Sequence, residues 1–263
     1  MSRAIGLLAV LVGAAAPAAA QTLAQRVARA PDGVAHLSYA AREGVCGNGA
    51  GSISFDCAGG DCGRHRVNSG SDWDEDACPC EAGPVRLALE ISGGRVTRLR
   101  AYVGGHWRAG AATDWGAVPA AEAAHWLLDL ARAGGGPAAH DAVFPAILAD
   151  SVTVWPDLVR LARDGAVERK VREQAVFWLG EAAGDAAVKD LTALVGDDTL
   201  DRDVREQAVF ALSQQPRDVG VPALIQVART NRDPELRKKA FFWLGQSGDP
   251  RALSLFEEVL TRP

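Results

Sequence analysis

The chain has 263 residues, of which 48% are hydrophobic and 23% charged, so it has the composition of a globular protein with room for one or two domains. Its formal net charge at pH 7 is −5, and the half that begins at residue 139 is also acidic. A nucleic-acid-binding protein normally carries a basic stripe, so this charge balance excludes nucleic acid as a partner.

Residues 1–20 have the pattern of a secretory signal peptide. Arg3 gives a positive start, residues 5–12 form a short apolar stretch, and Ala18 and Ala20 fit the small-x-small pattern of a cleavage site. We therefore expect cleavage before Gln21 and a periplasmic or secreted mature protein, with no stable membrane insertion after cleavage. The alternative is a membrane anchor, for which the apolar stretch is short.

Residues 21–118 are predicted to form a small Cys-rich domain that contains β-strands. Two runs of alternating apolar and polar residues, 85–91 and 98–103, flank a Gly-Gly pair at 93–94, which predicts a β-hairpin, although Val96 is out of phase. Residues 36–41 and 52–55 are further candidate strands. The segment GGHW at residues 104–107 is predicted to be a turn with a packed tryptophan.

All five cysteines lie in this domain, and in an exported protein disulfides are the expected state. Cys57 and Cys62 can close a small loop. Cys46 and Cys80 can join the base of the Gly-rich insert to the hairpin. Cys78 is then left as a free thiol.

Metal binding is the alternative function for the same cysteines. The candidate ligands are four cysteines and one nearby histidine: Cys57, Cys62, Cys78, Cys80 and His65. Their spacing, C-x4-C followed by C-x-C, is not that of a zinc ribbon, so we expect no metal.

The acidic run at residues 72–76 lacks the ligand spacing of an EF-hand and is predicted to be a solvated loop.

Residues 119–263 are predicted to form a helical repeat domain, in which residues 120–134 make an amphipathic helix that caps the array. The segments VREQAVFWLGE (171–181), VREQAVFALSQ (204–214) and LRKKAFFWLGQ (236–246) recur, and DAVFPAILAD (141–150) is a degenerate copy. Aligned on Ala142, Ala175, Ala208 and Ala240, the steps are 33, 33 and 32 residues. An apolar second helix follows each copy, which indicates a solenoid of helical pairs.

The repeated motif, Val-Arg-x-x-Ala-x-x-x-Leu-Gly followed by a short Gly/Asp turn and an apolar helix, resembles HEAT repeats. It is most similar to the short HEAT-like repeats typified by the phycobilisome lyases. The resemblance extends over roughly residues 120–263 and implies an α-solenoid of about four repeats that binds other proteins. Pro145 departs from the motif and is expected to kink or shorten the first helix of the first repeat.

Three further residue types recur in the repeats. Arg172, Arg205 and Arg237 each follow the first apolar residue of a first helix, and they are expected to pair with aspartates or backbone carbonyls of the turns. Gly180 and Gly245 are expected to help the chain reverse at helix ends. The aromatic residues of the first helices are expected to belong mainly to the core, with some of them reaching the surface.

The chain contains no nucleophile elbow, Walker loop, dinucleotide-binding fingerprint or H-E-x-x-H motif. Together with the repeats, this predicts an exported, non-enzymatic scaffold or adaptor that mediates protein–protein interaction without a cofactor. The alternative is that the Cys-rich domain binds a metal or carries out chemistry while the repeats act as its scaffold. A lyase activity follows only from the family association, since the repeats supply no catalytic pattern.

The partner is expected to bind the second helices, which line the concave face in the HEAT-like pattern. The polar positions predicted on this face are Arg160, Arg163, Lys189, Gln226 and Arg229. They are mostly basic within an acidic domain, so we expect a protein partner with an acidic patch and an association that weakens with salt.

Overall fold

The structure is a computed structural model that describes residues 21–54, 66–68, 80–107, 110–183 and 186–261. The strands are β1 (Gly33–Tyr39), β2 (Cys46–Gly47), β3 (Ser52–Ser54), β4 (Arg66–Asn68), β5 (Glu81–Ala82), β6 (Val85–Ser92), β7 (Arg95–Tyr102) and β8 (Ala112–Ala117). The helices are α1 (Leu23–Arg29), α2 (Ala120–Ala133), α3 (Pro137–Ile147), α4 (Trp155–Arg163), α5 (Arg169–Ala183), α6 (Ala187–Gly196), α7 (Arg202–Ser213), α8 (Arg217–Thr230), α9 (Pro234–Ser247) and α10 (Pro250–Thr261). Over these ranges no helix is long and apolar enough to span a membrane.

The larger of two sheets has the strand order β7-β6-β1-β8, in which β8 runs parallel to β1 and the other neighbours are antiparallel. The hairpin predicted around the Gly-Gly pair is present as β6 and β7. Gly93 and Gly94 have φ values of 57° and 70°, a left-handed conformation that glycine adopts without steric cost. β7 therefore lies at one edge of this sheet, with β6 beside it.

A β-bulge in β7 explains why Val96 is out of phase with the rest of the hairpin. Glu90 lies opposite Arg98, and the next residue, Ile91, lies opposite Val96, so Thr97 is an extra residue on β7. The Thr97 hydroxyl donates a hydrogen bond to the Glu90 carbonyl across the bulge at 3.1 Å. Such an insertion reverses the alternation of the strand at this point.

One hydrophobic core joins the large sheet to the helices. Tyr39 at the end of β1 is buried, and its hydroxyl donates a 2.7 Å hydrogen bond to the backbone carbonyl of Pro145 in α3. Burial raises the pKa of the Tyr39 phenol well above its ordinary value. Two backbone hydrogen bonds continue this contact, from the Arg42 amide to the Leu148 carbonyl and from the Asp150 amide to the Ala40 carbonyl. The sheet is thus held directly against the first helical pair.

The smaller sheet has the order β4-β3-β2-β5 and is joined at its base by a disulfide. The bond is the predicted one between Cys46 and Cys80, whose Cα atoms lie 5.2 Å apart. The other predicted cysteine roles, a Cys57–Cys62 bond and a free thiol at Cys78, fall on residues outside the described ranges, as do His65 and the acidic run at 72–76. Over the described ranges no group of three or more His, Cys, Asp or Glu side chains could hold a metal ion.

The helices α3 to α10 form the predicted solenoid of helical pairs. A first layer contains α3, α5, α7 and α9, each packed on the next, and a second layer contains α4, α6, α8 and α10. Each second-layer helix also packs on the first-layer helix of the following repeat. Helix α2 packs on α3 in the same way, so it occupies the position of a second helix ahead of the first pair, as predicted for a cap.

Helix α3 contains Pro145 in its last turn and is the shortest of the four first-layer helices. It ends at Ile147, two residues after Pro145, and spans 11 residues, whereas α5 spans 15. A proline removes one backbone donor and its ring collides with the preceding turn. The early end leaves the Pro145 carbonyl for the hydroxyl of Tyr39.

The predicted role of Gly180 and Gly245 in chain reversal is wrong, because both lie inside their helices. A Cβ atom on Gly180 would lie 3.2 Å from the Cβ atom of Ala211, so this glycine allows α5 and α7 to approach closely. The residue that ends α9 is Gly248, which has a φ of 62° and the left-handed conformation of a helix C-cap.

The arginine series pairs with carbonyls and aspartates, as the sequence predicts. Arg172 and Arg205 are buried, and their Nε atoms donate to the Val167 and Val195 carbonyls at 3.1 and 3.0 Å. Arg172 also pairs with Asp201, the N-cap of the next first-layer helix. The side chain of Arg172 therefore links two successive repeats.

Replacing Arg172 with methionine is expected to lower the free energy of unfolding by about 1–3 kcal/mol, because it leaves a buried carbonyl without its charged donor. Arg237→Met is the matched control, since Arg237 is only half-buried and bonds only to carbonyls of the turn before its own helix. Its effect should be below about 1 kcal/mol. Urea unfolding followed by circular dichroism measures both, and equal effects would contradict the inter-repeat role of Arg172.

Candidate functional site

A groove of 1140 Å³ lies between the edge of the large sheet and the first layer of the solenoid. One wall is β7, through residues 98–102, and beside it lie residues 50 and 51 of the turn between β2 and β3, and residue 53 of β3. The other wall is formed by α3, α5 and Gln207 of α7. We call this space the β7 groove.

The helical wall uses the same repeat positions in successive helices. The lining residues of α3 are 137, 140, 141, 144 and 145, and those of α5 are 170, 173, 174, 177 and 178, so each lies 33 residues after its counterpart. This spacing of three and four residues puts them on one face of each helix. Gln207 continues the series from Gln174, so the wall extends along the repeats.

Aromatic rings form a continuous row along this face. Four phenylalanines occupy one repeat position, two residues after the alignment alanine: Phe144, Phe177, Phe210 and Phe242. Trp178 and Trp243 join them, and successive centroids in the order Phe144, Trp178, Phe177, Phe210, Trp243, Phe242 are 4.7, 4.7, 6.3, 5.2 and 5.0 Å apart. We call these six residues the aromatic row.

Some residues of the aromatic row are buried in the core and others lie at the surface, in agreement with the expectation from the sequence. Trp178 is buried, and its indole N–H donates to the Gln174 side chain at 3.0 Å. Phe144, Phe177 and Phe210 are partly buried, whereas Phe242 is exposed. The row begins inside the β7 groove and continues beyond it to the last first-layer helix.

The charge of the β7 groove is positive. Arg98, Arg100 and Lys170 line it and are exposed, and over the described residues none of them makes an ion pair. The two acidic residues in the lining have neighbours of their own, because Glu173 lies 3.7 Å from Arg169 and Asp141 lies 3.3 Å from the His140 ring. An anionic ligand in the groove therefore meets three exposed cations.

The five residues predicted to bind a partner lie on the other layer. Arg160 and Arg163 are on α4, Lys189 is on α6, and Gln226 and Arg229 are on α8, and all five are exposed. None of them lines the β7 groove. The structure brings them to one layer, but it does not test their role in binding, so they stay a prediction.

Two of the three arginines among these five residues already have partners within the chain. Arg160 pairs with Asp157 in the previous turn of α4, and Arg229 pairs with Glu258 of α10. A hydrogen bond from the Thr199 hydroxyl, with a smaller contribution from Arg163, holds the pKa of Asp197 below its ordinary value. These contacts reduce the charge that the second layer offers to a ligand.

A second polar cluster covers the outer face of the large sheet. The rings of His36 and Trp107 are stacked with centroids 3.7 Å apart, and the Arg86 guanidinium lies 4.7 Å from the Trp107 centroid. The Arg86 side chain also donates to the Gly104 carbonyl. Trp107 is thus a packed residue, as the sequence predicts for this turn. Burial, with a further contribution from Arg86, lowers the pKa of His36 despite the nearby Asp114 carboxylate.

Comparison with known protein families identifies the last two helical pairs. Residues 198–263, which contain helices α7 to α10, match the family described as HEAT repeats. No curated protein matches the sequence. The pair α5–α6 packs on the matched pairs, and the pair α3–α4 packs on α5–α6, in the same two layers. The chain is therefore a protein with HEAT repeats, to which a small disulfide-linked β-region is joined at the N-terminal side.

Proposed function

We propose that the protein is an exported, non-enzymatic adaptor that binds a partner protein along the first layer of its solenoid. HEAT repeats generally mediate protein–protein interaction. The observation that carries the choice of surface is the aromatic row, which starts in the β7 groove and ends at the exposed Phe242. Aromatic side chains dominate the binding energy of many protein interfaces, because they combine a large apolar area with few rotatable bonds.

The second layer is the rival surface for the same function. Its arginines suit an acidic partner, but Arg160 and Arg229 are engaged with Asp157 and Glu258. Reversing Arg160, Arg163 and Arg229 together to glutamate separates the two surfaces. A partner on the first layer is still captured by this triple variant, whereas a partner on the second layer is lost.

A single substitution at the exposed end of the aromatic row tests the first-layer surface. Phe242→Asp is expected to weaken partner binding at least about tenfold, because truncating an aromatic hot spot commonly removes 1.4 kcal/mol or more. Leu253→Asp is the matched control, since Leu253 is 60% exposed on the second-layer helix α10 and Phe242 is 56% exposed on α9.

The measurement is capture of partner proteins by the mature chain from the envelope fraction of its own cells, quantified by mass spectrometry. Both variants should melt at nearly the temperature of the parent protein, because both side chains are more than half exposed. If Phe242→Asp captures the same proteins as the parent, or if Leu253→Asp loses them equally, the first-layer surface is not where the partner binds.

We further propose that residues 1–20 direct export and are removed before Gln21. The Cys46–Cys80 bond supports this, because disulfides persist in oxidising compartments and are rare in the cytosol. Expression of the full chain, followed by cell fractionation and sequencing of the mature N-terminus, tests it. Recovery of the intact chain from the cytosol with reduced cysteines would contradict export.

The alternative function, metal binding or chemistry in the Cys-rich region, has less support. Cys80 is one of the candidate ligands for the metal, but the sulfur of Cys80 is bonded to Cys46. A metal assay on the purified mature protein distinguishes the two functions, since a stoichiometric metal would favour the alternative.

A further inference from the structure

The turn that joins β2 to β3 contains the pair Asn48-Gly49, the only Asn-Gly pair in the sequence. An asparagine in such a pair is prone to deamidation, because glycine has no side chain to hinder the attack of its backbone nitrogen on the asparagine side chain. Asn48 is exposed, so water can reach it. The pair is therefore reactive unless the fold keeps the attacking nitrogen away from the side chain.

The fold engages both groups that this reaction needs. The Asn48 Oδ1 atom accepts hydrogen bonds from the backbone amides of Ala50 and Ser52, at 2.9 and 3.1 Å. The Gly49 amide donates a hydrogen bond to the Val103 carbonyl at 2.9 Å. The Gly49 nitrogen must lose this proton and turn toward the Asn48 side chain, so these hydrogen bonds have to break before the nitrogen can attack.

Close packing against residues 103–105, which follow β7, holds the turn in this conformation. Gly49 has a φ of 71°, and a Cβ atom on Gly49 would lie 2.9 Å from the Cα atom of Gly105. A Cβ atom on Gly47 would lie 2.5 Å from the Val103 carbonyl oxygen. The two backbones therefore touch directly, and the Gly49 nitrogen stays beside its acceptor.

The Cys46–Cys80 bond secures the strand that leads into this turn. Cys46 lies in β2, two residues before Asn48, and β2 pairs with β5. Both strands are only two residues long, so their own pairing is weak. Once the bond is opened, β2 and the turn can separate locally from residues 103–105 while the solenoid stays folded.

We propose that Asn48 is a modification site, which stays intact while the Cys46–Cys80 bond is closed and deamidates after a dithiol reductant opens that bond. The reductant gives two electrons to the disulfide, becomes a disulfide itself and leaves two cysteine thiols. The Gly49 nitrogen then bonds to the Asn48 Cγ atom, the Cγ–Nδ2 bond breaks, and ammonia leaves with the amide proton. Water opens the resulting succinimide to aspartate or isoaspartate.

The two products have different effects on the small sheet. Aspartate keeps an oxygen that can accept hydrogen bonds from the Ala50 and Ser52 amides. Isoaspartate adds a methylene group to the main chain, so it displaces the turn and disturbs the pairing of β2 with β3. Deamidation is not reversed when the disulfide forms again, so the modification is a lasting record of reduction. This inference is independent of the proposed adaptor function.

The test follows Asn48 at neutral pH by mass spectrometry of peptides, with chromatographic separation of isoaspartate. Cys46→Ser combined with Cys80→Ser removes the bond and leaves the other cysteines unchanged. Asn48 in this variant should deamidate at least about tenfold faster than in the oxidised parent, because a disulfide typically stabilises the structure that it closes by more than this factor. A synthetic peptide of residues 45–53, with serine at position 46, gives the rate of the unrestrained pair.

Leu191→Ala is the matched control, because it removes a buried side chain of the solenoid and leaves the disulfide closed. Its rate of deamidation should stay within about twofold of the parent rate, since the two sites are independent. Equal acceleration by Leu191→Ala would overturn the proposal, because global unfolding would then control the reaction. Equal rates in the parent and the double cysteine variant, or a parent rate as fast as that of the peptide, would also overturn it.

Treatment of the parent protein with dithiothreitol is the second measurement. It should accelerate deamidation of Asn48 as the double variant does, while circular dichroism shows that the helices remain. Loss of the helical signal in both the treated parent and the double variant would contradict a local opening, and the proposal would fall.

Discussion

Leu191→Ala is expected to lower the free energy of unfolding by about 2–5 kcal/mol, the range for removing a fully buried leucine side chain. Leu191 has 0% exposure in α6, which packs on both neighbouring first-layer helices, α5 and α7, and on the second-layer helices α4 and α8. Each repeat of a solenoid is stabilised by its neighbours, so a cavity in a central helix weakens both interfaces. Urea unfolding followed by circular dichroism at 222 nm, a helix-sensitive wavelength, gives the change.

Leu260→Ala is the matched control for this substitution. Leu260 is also a leucine of a second-layer helix, but it is 84% exposed on α10, so its truncation should change the free energy of unfolding by less than about 0.5 kcal/mol. Its exposure differs from the apolar stripe expected for this helix, because over the described residues no further repeat covers α10. Equal effects of the two substitutions would contradict a packed, central α6.

Replacing Cys46 and Cys80 with serine is expected to lower the free energy of unfolding by about 3–4 kcal/mol. The bond closes a loop with a sequence separation of 34 residues, and the chain-entropy model gives this magnitude for a loop of that length. The strands that it holds, β2 and β5, are two residues long, so they cannot supply comparable stability on their own. Denaturant unfolding of the oxidised parent and of the double variant measures the difference.

Thiol counting accompanies this experiment. The predicted Cys57–Cys62 bond and the free Cys78 imply one free thiol per chain in the denatured, unreduced protein. Cys78→Ser is then the control that leaves stability unchanged. Five free thiols in the protein as purified would contradict both disulfides.

The repeats could be predicted from the sequence because every helical pair buries the same apolar face, and therefore has the same apolar positions. The alignment alanines, from Ala142 to Ala240, recur at steps of 32 or 33 residues, and all four are fully buried in their first-layer helices. The hairpin could also be predicted, because a Gly-Gly pair joins its two strands, and both glycines have a positive φ. Even the irregularity at Val96 was visible as a break in alternation, and the bulge at Thr97 explains it.

Several elements of the N-terminal part were not predicted: helix α1 and strands β2, β4, β5 and β8. The reasons differ, as α1 and β8 show. Helix α1 had a local signal, because Thr22 and Gln25 form a reciprocal capping box at its start. Strand β8 had none, since its burial does not alternate and its sequence contains Gly116 at a φ of 69°. It is a strand because it pairs with β1, a long-range contact that outweighs its weak local preference.

The β7 groove could be predicted only in part. The four phenylalanines of the aromatic row share one repeat position, so their alignment on a single face was available from the sequence. The β7 wall of the groove could not be predicted, because the position of β7 depends on how the sheet packs against α3. That docking is set by contacts such as the one between Tyr39 and Pro145, which are 106 residues apart.

Site-specific photo-crosslinking tests the first-layer surface most directly. A photoreactive residue replaces either Gln207, which lines the β7 groove, or Gln226, which is exposed on the second layer. Both changes replace a glutamine on a helix of the same solenoid, and both proteins are irradiated in the cells that export them. A partner bound in the groove gives a crosslinked adduct from position 207 and none from position 226. An adduct from position 226 alone would contradict binding along the first layer and would favour the second-layer residues instead.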